Sequence, residues 1–145
     1  MTTNADITIF NARYQASSRT EAFVPTTIEG TSLLISDAVS ANDGVWTDNA
    51  TYKIRVPYSG AVIQDSRTYM PEESYRDSDG SGAWTIRKGD YAALGLYDGD
   101  KTLLTKAELD AWANESHVRL MQITEYSDNT SRGCGATKHW RIGGA

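Results

Sequence analysis

Tyr52-Lys53-Ile54-Arg55-Val56-Pro57 alternates apolar and polar side chains without a break and stops at a proline. A period of two puts Tyr52, Ile54 and Val56 on one face and Lys53 and Arg55 on the other, the pattern of a half-buried strand. Proline has no N–H for a ladder and holds the residue before it in extended backbone, so it closes the segment. With this strand as anchor, the rest of the chain reads as mainly β.

Upstream, Asp6–Arg13 repeats the pattern with Ile7, Ile9 and, less cleanly, Phe10. Thr20–Ser36 holds Phe23, Val24, Ile28, Leu33, Leu34 and Ile35, interrupted by Pro25 and Gly30, and reads as two short strands with a bend. Residues 36–50 are rich in Ser, Asp, Asn, Gly and Ala and read as loop. Trp46 lies inside that loop, which makes it the tryptophan best suited to contacting something outside the chain. Trp84, Trp112 and Trp140 each have an apolar partner at strand or helix spacing, which favours the core for them.

Downstream, residues 59–83 lose the core pattern. Charges of both signs mix, and Asp77-Ser78-Asp79-Gly80-Ser81-Gly82 is almost pure turn chemistry. A stretch of this length predicts a functional loop or arm projecting from the domain. Its mixed charge suits contact with protein better than with nucleic acid, and Arg67, Tyr69, Glu72, Glu73, Arg76, Asp77, Asp79 and Gly80 are the contact candidates. Strand pattern returns at Trp84–Arg87, a tight turn is expected at Lys88-Gly89-Asp90, and Tyr97-Asp98-Gly99-Asp100 reads as a hairpin turn. Thr105-Lys106-Ala107-Glu108 fits a capping box, so one short helix is expected, with Leu109 and Trp112 on one face and Asn114 at its end. Two more strands follow, at His117–Tyr126 and Thr137–Ile142. About seven strands with one short helix and a long loop make a small β-barrel or sandwich.

Composition sets the boundaries of function. The chain has 145 residues, 39% hydrophobic and 23% charged, enough for a single domain with a projecting loop or arm at 59–83. Fourteen basic against nineteen acidic residues give a net charge of −5, which argues against gripping nucleic acid with a basic surface. No apolar run is long enough to span a bilayer, and the first residues carry no signal-peptide pattern. One cysteine, Cys134, allows no internal disulfide, so the expectation is a chain folded in a reducing cytoplasm.

No motif announces chemistry. Asp77-x-Asp79-Gly80 starts like a calcium loop, but Lys88 stands at loop position twelve where a bidentate Glu is required. Cys134 sits in Gly-Cys-Gly, and drawing it together with His117, His139 and Asp128 uses residue identity alone. Gly80-Ser81-Gly82 is not followed by the Lys-Ser/Thr of a phosphate loop. The expectation is no enzyme, no cofactor and no metal.

The ordered series Ile7–Tyr14, Thr26–Gly30, Tyr52–Pro57, Gly82–Asp90 and His139–Gly144 resembles a family of small structural proteins encoded beside the capsid genes of long-tailed bacteriophages. Within it the closest likeness is to head-closure (stopper) proteins of the head-to-tail connector. Two departures are the missing aromatic after Gly30 and the helix at residues 105–114, which leave the tail terminator and other neck proteins as alternatives. The resemblance implies a β-barrel in a homo-oligomeric ring, sixfold or twelvefold, at the virion neck. Portal and adaptor would lie above it and the tail terminator or tube below. A long loop would reach toward the channel, through which DNA passes without sequence-specific binding. Assembly would take place in the host bacterial cytoplasm without a membrane. The alternative of another class is a carbohydrate-binding β-sandwich module using Trp46 and the Asp-rich turns.

Overall fold

The computed structural model describes residues 4–15, 20–42, 45–58, 61–77, 82–101, 103–130 and 138–144, with the backbone alone at 14–15, 20, 36–42 and 45–50. Among the described residues nine strands carry the fold: β1 (Ala5–Gln15), β2 (Thr20–Asn42), β3 (Val45–Pro57), β4 (Val62–Ile63), β5 (Thr68–Tyr69), β6 (Ala83–Trp84), β7 (Tyr91–Ala93), β8 (Leu120–Asp128) and β9 (His139–Gly144). Helices α1 (Glu72–Asp77) and α2 (Lys106–Glu115) complete it, with a 3-10 turn at Gln64–Ser66.

Six strands close on themselves in the order β1-β7-β8-β9-β3-β2, because β2 also pairs with β1, and β4 adds to β2 as a seventh. Every pairing in this barrel is antiparallel. Closure pairs the central part of the sheet into a ring and so removes most of its edge there.

β2 makes closure possible by serving two neighbours in turn. Its first half pairs with β1 and its second with β3, so the expected two strands with a bend are one continuous strand. The change of partner falls at a bulge, where Ala5↔Thr31 and Ile7↔Ile28 differ by one residue. Gly30 takes the extra position at φ +84°, a conformation that costs other residues a Cβ clash, and its N–H donates to Asp6 Oδ1 at 3.1 Å. At the far side of the barrel, a Cβ on Gly144 would collide with the Gln122 carbonyl, so only glycine lets β9 pack this closely on β8.

The alternation in β3 is realised as read. Tyr52, Ile54 and Val56 point inward, and Lys53 and Arg55 are exposed. With Ile7, Ile9, Ile28, Trp84, Ile86, Met121, Ile123, Trp140 and Ile142 they fill the barrel. A second cluster lies outside it, where Phe10, Phe23, Ala93, Leu104 and Leu109 seal α2 against the wall. Two-sided cover explains why β1 is buried continuously from Ile7 to Asn11 rather than at alternate positions.

The helix forms where its cap predicts. Thr105 accepts from the Glu108 N–H while the Glu108 side chain accepts from the Thr105 N–H. Leu109 and Ala113 are its buried residues, and Trp112 is half-buried with its indole N–H donating to Asp98 Oδ1 at 2.8 Å. That contact corrects the reading of Tyr97–Asp100 as a hairpin turn: the segment leads from β7 into α2 and is held by the helix.

Two larger expectations are also corrected. Residues 36–42 and 45–50, expected as part of a loop, instead continue the β2–β3 ladder as far as Asn42↔Val45. Among the described residues β9 pairs with β3 as far as Tyr52, and beyond that point β2 and β3 run on as a two-stranded ribbon. At ~3.3 Å per residue its arms are about 25 Å long. The segment expected to project, 59–83, is instead tied to the barrel at particular points: β4 pairs with β2, Gln64 and Arg67 are hydrogen-bonded to β2, and Tyr75 is buried.

Candidate functional site

The folded-back segment is held by three anchors. Gln64 Oε1 accepts from the Thr27 N–H at 3.1 Å. Arg67 Nη1 donates to the Pro25 carbonyl at 2.8 Å and to Thr26 Oγ1 at 2.7 Å. Tyr75, the buried residue of α1, lies under two guanidinium groups, Arg13 at 4.8 Å and Arg87 at 5.5 Å from its ring centre.

Beneath Tyr75 is a buried polar network. Asp90 accepts from Arg87 Nε at 3.0 Å, Asn11 Nδ2 at 3.1 Å and the Ala12 N–H at 3.4 Å. Asn11 in turn donates to the Thr85 carbonyl and accepts from the Thr85 N–H, and Arg87 also donates to the Ala12 carbonyl. Burial raises the Asp90 carboxyl above the usual carboxylate range, against the opposing pull of Arg87 and Asn11. Every member of this network has a structural partner, and its geometry ties β1 to the approach to β7.

The contact candidates in 59–83 are therefore dispersed. Arg67 is spent on β2, and Tyr69 packs its ring 5.1 Å from Trp84 and 5.0 Å from Trp140. Glu72 is half-buried, while Glu73, Arg76 and Asp77 lie exposed on α1. Asp79 and Gly80 lie outside the described residues, as does Cys134. The side chain of Trp46 is also outside them, but its backbone pairs with Ala41 in the ribbon.

What the fold does assemble is a cationic groove on the outer wall of β2, β3 and β9. It has a volume of about 380 Å³ and is lined by Ser32, Leu33, Leu34, Lys53, Arg55 and Arg141. Arg55 lies directly across from Arg141 on one side and Ser32 on the other, and Lys53 faces Leu34. Among the described residues none of these three cations takes part in an ion pair. The groove sits at the root of the ribbon, where Leu34 and Ile35 are 63% and 49% exposed.

Among the described residues no three His, Cys, Asp or Glu side chains gather to hold a metal, and no helix is long and apolar enough to cross a membrane. A family model described as a family of unknown function, DUF6751, matches residues 1–145. The chain belongs to this family. No curated protein and no solved structure matches it.

For this DUF6751 member, the sequence reading missed the groove because its three cations come from strands far apart in the chain. Only the β3–β9 register brings Arg55 beside Arg141. The exposed side of the alternating β3 pattern, Lys53 and Arg55, was the available signal.

Tyr69 gives the family member a pH signature. Burial first, then the charges of Asp128, Tyr126 and Glu72, push its phenol from 10.0 up to about 12. The folded state thus favours the neutral phenol. Its contribution is complete below pH 10 and is lost as pH rises from 10 toward 12. Urea unfolding across that range should show a shallower alkaline loss for Tyr69→Phe than for the wild type; equal slopes would contradict the assignment.

Proposed function

We propose that this chain is a structural protein of the phage neck, of the head-closure type, which assembles as a ring of identical copies around a channel that passes DNA. The ordered segments that resemble connector proteins support the viral setting. The observation that carries the assembly reading is the ribbon of 36–42 and 45–51, which continues past the last three-strand pairing at Tyr52. Among the described residues the arms of this ribbon are paired on one side only, so they offer backbone N–H and C=O groups to a neighbour. In this reading the ribbon, rather than residues 59–83, takes the role of the long channel-directed element.

A net charge of −5 fits a channel that does not hold its cargo, because each phosphate neutralised adds affinity and therefore drag. Replacing residues 38–49 with a two-residue Asn-Gly turn, which keeps Asp37 opposite Ala50, tests the reading. The shortened chain should keep the wild-type melting temperature and sediment as a monomer, while the full chain sediments as an oligomer. An oligomer that survives the deletion, or a full chain that stays monomeric at high concentration, would overturn it.

A further inference from the structure

We infer that the cationic groove of Lys53, Arg55 and Arg141 receives carboxylates of a second copy of this chain in a head-to-tail contact. The inference rests on the ring reading above and names the face by which neighbouring copies meet. Its first support is a cost that the isolated chain leaves uncompensated. Arg55 and Arg141 are directly opposed on adjacent strands, and like charges in that position repel. Glu125, which lies over Gly143 and lines a neighbouring pocket with Arg141, makes no ion pair with them among the described residues.

The second support is complementarity. Three of the fourteen basic residues are concentrated in this groove, so the remaining surface of a chain with nineteen acidic residues is strongly anionic. A second copy is thus itself an acidic partner. The third is composition: exposed Leu34 beside two arginines makes the mixture of apolar surface and guanidinium found at protein interfaces rather than along a phosphate track. The groove also runs into the base of the ribbon, so the two form one continuous surface.

The charge sets the symmetry. A two-fold contact through this face would place arginine against arginine. The face must therefore meet a different surface of the next copy, and such a contact closes into a ring when its rotation divides a full circle.

The test uses the full chain and the exposed substitutions R55E and K53E. R55E places a carboxylate across from Arg141, which favours the folded subunit. Its melting temperature should equal or exceed that of the wild type, while its self-association by sedimentation equilibrium weakens by about tenfold or more. K53E should weaken association in the same direction. Wild-type association should also fall as salt is raised from about 50 to 500 mM, where screening shortens the reach of charge. Unchanged assembly in R55E and K53E, or wild-type assembly indifferent to salt, overturns the inference and leaves the ring reading standing. A duplex DNA fragment bound by the wild type and released by R55E, with assembly intact, overturns it in favour of a phosphate ligand. A wild type that is monomeric throughout removes the ring reading, and this contact with it.

Discussion

Asp90→Ala should destabilise the fold by about 3–5 kcal/mol, the usual cost of removing one partner from a buried ion pair. Asp90 is 4% exposed and accepts four hydrogen bonds from three residues, and the Arg87 side chain that pairs with it is 17% exposed. Alanine leaves the Arg87 guanidinium half-buried without its carboxylate, beside Arg13 on the same Tyr75 ring. It also strips an acceptor from Asn11, which bridges β1 to Thr85. Urea unfolding measures the loss, and a change below about 1 kcal/mol would show that the network is dispensable.

Asp90→Asn separates charge from shape. Because burial raises the Asp90 pKa, the folded state favours the protonated carboxyl. That contribution is present below the unfolded value of 3.8 and is lost as pH rises through the folded pKa. The deficit of Asp90→Asn relative to the wild type should therefore shrink between acidic and neutral pH; a deficit that widens would contradict the direction.

Trp84→Ala should cost a similar amount, about 3–5 kcal/mol, for a different reason. Trp84 is fully buried and packs edge-on to Tyr69 at 5.1 Å and Trp140 at 5.2 Å, while Tyr69 and Trp140 are 5.0 Å apart. This three-ring cluster binds the barrel interior to the overlying segment, because Tyr69 belongs to β5, whose parallel partner β6 contains Trp84. The truncation opens a cavity and loosens both layers. Limited proteolysis should therefore cut first within residues 59–81. Trp84→Phe should be much milder, since the Trp84 indole N–H meets no acceptor among the described residues and its removal breaks no hydrogen bond. Equal losses for Ala and Phe would mean that ring packing is not what Trp84 contributes.

How legible these features were depended on whether local sequence reported them. Tyr52–Pro57 declared itself because one face is buried and the other wet, and Thr105 and Glu108 declared the helix because a capping box is a local device. Ser36–Ala50 was hidden for the converse reason. A two-stranded ribbon with no third strand needs no apolar alternation, and its Ser, Asp and Asn content imitates a loop. Residues 59–83 misled because their attachment depends on a few long-range contacts, Arg67 to Pro25 and Tyr75 beneath Arg13 and Arg87, rather than on a core stripe. The groove was least visible, since strand register alone sets Arg55 beside Arg141.

Electron microscopy of the purified 145-residue chain tests the central claim most directly. The account predicts closed rings of identical subunits around an open channel, built by head-to-tail contacts. Two-fold dimers, or single barrels at every concentration examined, would contradict it.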